Sequence, residues 1–178
     1  MKISGRTIDQ IVSQPVLLPR PGSEPVLLQL TPLPLGFHQR LRDRGIVPPT
    51  VPSRIGRDSQ GRPLRDAQGT AILVRDPQQP EYLLELERYH QRVAVLAVAE
   101  ALRADENVTF DAVLPRSHDA DEWRQYADTL FAEMERSGLT AGDLVLLCRE
   151  ICRLSNLLDE QLQTAQQNFS PPPLEGDN

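Results

Sequence analysis

Residues 123–154 read WRQYADTLFAEMERSGLTAGDLVLLCREICRL, and this stretch decides the fold. Trp123, Tyr126, Leu130 and Met134 recur at steps of three and four, which aligns them on one helical face. Gly138 follows as a helix C-cap, and Thr140 with Asp143 predicts a capping box for the next helix. There Leu144, Leu147, Cys148, Ile151 and Leu154 form a second apolar stripe. No catalytic set sits among these residues. They predict a surface for packing against protein, so the question becomes which partner rather than which reaction.

Upstream, Asp76-Pro77 marks a change of pattern, and Pro80-Glu81-Tyr82 opens a long helix with proline and acid in its first turn. Tyr82, Leu86, Tyr89, Val93 and Leu96 alternate steps of four and three. From Val93 to Ala99 the helix is apolar all round, which places it at the structural centre, buried on several sides. A second subunit is an alternative cover for that run, so a homo-oligomer stays open. Leu86, Val93, Leu96, Leu130, Leu147 and Ile151 are the expected core. Asp105 to Asp119 reads as a connection, with Val108-Thr109-Phe110 as a short strand. A final short helix is expected to carry Leu158, Leu162, Ala165 and Phe169, ended by Pro171-Pro172-Pro173.

The first half is built differently. Twelve of the 16 prolines fall in residues 1–80, which forbids long helices there. Val16-Leu17-Leu18 and Pro25 to Leu30 predict a hairpin across Pro21-Gly22-Ser23-Glu24. Phe37 to Arg44 predicts one short helix stopped by Gly45. Arg57-Asp58-Ser59-Gln60-Gly61 is echoed eight residues later by Arg65-Asp66-Ala67-Gln68-Gly69. Paired Asp and Gly resemble part of a calcium loop, but the further carboxylates are missing, and two consecutive turns fit the spacing. The expected fold is therefore mainly α (α+β), a C-terminal helical bundle preceded by a Pro-rich, partly β N-terminal region. Its expected divisions are an extended, turn-rich region 1–75, a helical domain 76–169 and a disordered tail 170–178.

Composition narrows the function. Residues 1–80 hold 11 Lys and Arg against 6 Asp and Glu, whereas residues 81–178 hold 8 against 19. The asymmetry either steers two surfaces to different partners or to each other, or reflects an acidic solvated helical face; the last is simplest. With no basic run interleaved with aromatics, nucleic acid is not an expected partner. No stretch approaches a membrane span and no secretory core follows Met1, so a soluble intracellular protein is expected. Cys148 and Cys152, one helical turn apart, read as reduced thiols on an apolar face. His38, His90 and His118 share no ligand spacing, so no metal or cofactor site is expected. His118-Asp119-Ala120-Asp121-Glu122 is the densest polar cluster, and it sits where carboxylates cap a helix. No nucleophile elbow or phosphate loop is present, and the reading is non-enzymatic.

The order of segments resembles the tail assembly chaperones of long-tailed bacteriophages over residues 16–169. The matching features are Val16 to Arg20, Val26 to Pro34, the cluster Val47-Pro48-Pro49-Thr50-Val51-Pro52, and Asp76 to Tyr82 leading into a helix with Tyr89 and Arg92. They close with Gly138 to Leu144, Leu154 to Glu160, Ala165 and Phe169. The likeness departs at residues 53–75, which read as an insertion-like stretch. The resemblance implies a factor of the host cell's cytoplasm that coats tape measure protein, recruits tail tube protein and is absent from the mature virion. A structural subunit retained in a tail or injection device is the alternative. Tyr82, Tyr89, Val93, Leu96, Trp123, Leu130 and Leu144 are the candidate protein-binding residues.

Overall fold

Proline and glycine confine the first strands to short pieces. The computed structural model of the chain describes residues 13–20, 22 and 24–155. β1 (Gln14–Leu18) pairs antiparallel with β2 (Val26–Leu30), with Val16 opposite Leu28 and Leu17 opposite Leu27. Strand alternation sends Val16, Leu18, Leu28 and Leu30 into the core and leaves Leu17 and Leu27 outside. α1 (Phe37–Asp43) buries Phe37 and Leu41. Gly45 ends it with φ +73°, and a Cβ there would overlap that of Ala120, so only glycine fits.

β3 (Ser53–Ile55) and β4 (Leu73–Arg75) pair antiparallel around the eight-residue repeat. Each repeat is a closed turn. One carboxylate oxygen of Asp58 accepts the N–H groups of Gln60 and Arg62, and Asp66 does the same for Gln68 and Thr70. Gly56 N–H donates to the Ile72 carbonyl, Leu64 N–H to Gly56, and Ile72 N–H to Leu64, at 2.8–2.9 Å. This ring of three bonds joins the two turns and β3–β4 into a three-lobed β unit. Gly56 sits at the crowded junction, where a Cβ would press on Val74, Ile72 and Leu64.

Three helices follow: α2 (Pro80–Ala101), α3 (Ala120–Arg136) and α4 (Ala141–Leu154). Pro80 at the first position and Glu81 in the first turn start α2 as its sequence predicts. The Asp119 carboxylate caps α3 by accepting from Asp121 and Glu122 N–H. Thr140 and Asp143 form the reciprocal capping box of α4. α2 packs on both α3 and α4, burying Val95, Leu96, Ala97, Val98 and Ala101 against Trp123, Ala127, Leu130, Met134, Leu147 and Ile151. Four helices and two small antiparallel sheets among the described residues make a mixed α+β architecture.

One hydrophobic core crosses residue 75, because the β1–β2 hairpin and α1 lie on the helices and contribute Val16, Leu18, Leu28, Leu30, Phe37 and Leu41. Polar bonds fasten the hairpin. Thr31 donates both its N–H and its hydroxyl to the Ala101 carbonyl at the end of α2. Asp105, buried behind α2, accepts from Gln29 N–H at 2.7 Å, and Arg20 reaches Asp143 on α4 at 2.8 Å. Arg92 joins α2 to α3 by two bonds to Asp128, both 2.7 Å.

Two expectations are corrected. Val108-Thr109-Phe110 forms no strand: Asp105 holds the preceding turn, Glu133 holds Asp111 and Ala112, and Val108 and Phe110 pack onto the core instead of pairing. Leu86 is half-buried and stands outside the core, which on α2 starts with the flanking Tyr89 and Val93. The helix expected over residues 156–169 and the tail 170–178 lie outside the described residues.

Candidate protein-binding surface

The seven residues named from periodicity face inward, wholly or in part. Leu96, Trp123 and Leu130 are buried. Tyr89, Val93 and Leu144 are half-buried and packed against the core, and Tyr82 is half-buried near the start of α2. Trp123 shows why: its indole N–H donates to the Ser117 carbonyl at 2.9 Å, Arg44 lies over its ring at 3.9 Å, and Tyr126 meets it edge-on. The stripes of α2, α3 and α4 are consumed by one another and by the hairpin. The accessible apolar surface therefore lies elsewhere.

It has two parts. The first surrounds a cleft of about 300 Å³ between the hairpin, the end of α2, residues 107–110 and the end of α3. Leu28, Val98, Leu102 and Met134, all buried core residues, give it an aliphatic floor, and half-buried Val108 and Phe110 stand at its side. Arg20, Asn107 and Glu133 mark its rim, and Val26 is 41% exposed beside it. Beyond Phe110 the chain turns outward, leaving Val113 at 85% exposure over a second concavity of about 460 Å³ against α3. Glu133 fixes this loop by accepting Asp111 N–H at 2.6 Å and Ala112 N–H at 3.0 Å. The exposed apolar side chains are thus presented on a tethered segment.

The second part is the β unit with the start of α2. Ile55, Leu64, Ile72, Leu73 and Val74 are all exposed, as are Leu83 and Leu84. Their alternation and position gave no sign of exposure in the sequence. The exposed Leu83 and Leu84 fall beside, rather than on, the periodic stripe.

The polar groups are engaged structurally. Burial pushes the Asp105 carboxyl up, but the N–H groups of Gln29 and Asn107 outweigh it and leave it below the usual range. The Arg20 hydrogen bond holds Asp143 at about 2, against the opposing effect of burial. Burial, reinforced by Cys152, pushes the Cys148 thiol up, away from the thiolate that nucleophilic chemistry requires. Around His118, Asp119 caps α3 while the Ser117 hydroxyl donates to Glu122 at 2.6 Å. Among the described residues, no three His, Cys, Asp or Glu side chains stand together as a metal-ligand set, and no helix is long and apolar enough to cross a membrane. Compared with protein-family models, with curated proteins and with solved structures, the chain matches none.

Proposed function

We propose that the chain is a non-enzymatic tail assembly chaperone of the kind made by long-tailed phages, acting in the host cytoplasm on tape measure protein, tail tube protein or both. In this reading α2, α3 and α4 are a helical bundle that serves as a rigid carrier. The aliphatic cleft beneath Val26 and Phe110 receives apolar side chains of a helical tail component before assembly. The observation that carries the reading is this cleft, which opens onto an apolar floor supplied by the core itself. An amphipathic helix exposes apolar anchors along one face until it is assembled, and an aliphatic groove with a polar rim shields such anchors. Hydrophobic burial then supplies most of the affinity, so binding weakens only modestly between low and physiological salt.

Co-expression with candidate tape measure and tube proteins from the neighbouring genes tests the reading. The chain should raise the soluble fraction of at least one and co-purify with it. Equal solubility with and without the chain, with no co-purification, would sink the chaperone role. Recovery of the chain from mature particles by mass spectrometry would assign it instead to the retained structural subunits.

A further inference from the structure

The β unit of residues 53–75 and the first turns of α2 are neighbours in sequence, yet neither covers the other. Among the described residues, β3 and β4 make extensive contact only with each other. Both surfaces are apolar and exposed, and their charges are opposite. The β unit carries Arg54, Arg57, Arg62, Arg65 and Arg75 against Asp58 and Asp66, each of which commits one oxygen to its own turn, and Arg54 pairs with Asp76 at 3.0 Å. Residues 80–88 carry Glu81, Glu85 and Glu87 against the single cation Arg88. Among the described residues, no ion pair joins these arginines to these glutamates.

We infer that a second copy of this chain covers both surfaces: the basic β unit of each protomer lies on the acidic start of α2 in the other. Charge complementarity selects a second copy, because each protomer carries one surface of each sign beside apolar side chains that match it. A two-fold axis passing between adjacent patches makes the contact twice and closes the assembly at a dimer. A standard interface needs about 20–30 residues a side, which residues 53–88 supply. Leu73, Val74 and Ile72 then meet Leu83 and Leu84, with Arg62 and Arg75 facing Glu85 and Glu87. This pairing leaves the cleft below Val26 open, so it is independent of the chaperone reading.

Sedimentation of the purified full chain tests it. A dimer is expected at low salt, dissociating more readily as salt screens the pairing. Leu73→Glu and Leu84→Glu, both at exposed positions, should each weaken self-association on the order of a hundredfold, since either brings an unpaired charge into the contact. Far-UV circular dichroism should stay unchanged, and the melting temperature should match that of the native chain at concentrations where both are monomeric. The decisive arm is a charge exchange. Glu85→Arg with Glu87→Arg in one preparation, and Arg62→Glu with Arg75→Glu in another, should each give monomers. Mixed, they should form a heterodimer, because both contacts regain opposite charges. A chain that is monomeric at about 100 µM, far above the concentration a specific dimer needs, overturns the inference. So does a dimer indifferent to all four variants, or a mixture that stays monomeric. If the chain is monomeric and Leu73→Glu instead abolishes capture of a tail component, the surface belongs to that component.

Discussion

Asp143 shows how much a single side chain holds together. One oxygen accepts the Thr140 N–H and hydroxyl at the start of α4, and the other accepts Arg20 from the end of the hairpin. Replacing it with alanine removes the reciprocal half of the capping box and the ion pair of Arg20, at an expected cost of about 1–2 kcal/mol in urea melts. The acid dependence has a definite sign. Because the folded carboxyl titrates at about 2, below its ordinary 3.8, its contribution is complete above the unfolded value. It is lost as pH falls toward and through about 2, so the stability gap between the native chain and Asp143→Ala should narrow there. A gap that stays constant down to that pH would mean the carboxylate charge is irrelevant. Gly45 is the second such residue. Alanine there meets both a left-handed backbone and Ala120, and should cost about 1–3 kcal/mol by the same melts.

At the scale of elements, burial divides α2 in two. Its 22 residues make a helix of about 33 Å, while α4, with 14, spans about 21 Å. The longer helix outruns its neighbours, and its first turns lie beyond the core. Leu147→Ala or Ile151→Ala should therefore cost about 2–5 kcal/mol, because both side chains are fully enclosed. Leu83→Ala should change stability by no more than about 0.5 kcal/mol. Helix positions and caps were legible because they are local: a 3.6-residue period, Pro80 at a start, Gly138 at an end and Thr140 paired with Asp143. The hairpin was legible for the same reason, through Pro21-Gly22 between two apolar runs. The extent of burial along α2 was not, because periodicity continues through Leu86 whatever lies opposite it. Nor was the coil at Val108 to Phe110. Its fate depends on Glu133, which reaches Asp111 and Ala112 from α3, and on the adjacent Asp105, which Gln29 of the hairpin holds in place.

For the whole molecule, the exposed apolar surface is what packing leaves over. Trp123 and Leu130 stand on the amphipathic stripe of α3 and ended buried, since such a stripe is the first thing a core recruits. The exposed set, Val26, Val113, Leu73 and Leu84, is scattered in sequence and spread over separate surfaces of the fold. Val26→Glu should consequently abolish co-purification with the tail component while leaving the melting temperature within a degree or two, as surface changes do. If Val26→Glu instead captures that component as well as the native chain does, the cleft is not the site. Trp123→Ala, by contrast, should fail through unfolding, with a loss of about 3–5 kcal/mol.

The three-lobed β unit also has an evolutionary consequence. Its ring of backbone bonds closes internally, and its two ends meet where Asp76 N–H donates to the Pro52 carbonyl at 2.8 Å. A segment whose entry and exit coincide can be excised, duplicated or transplanted without altering the path of the chain on either side. Replacing residues 53–75 with a short glycine linker should leave the helical melting transition in place. Lineages sharing this core are then free to gain or lose lobes in steps of eight residues, and such length variation would record changes of partner while the scaffold stays the same.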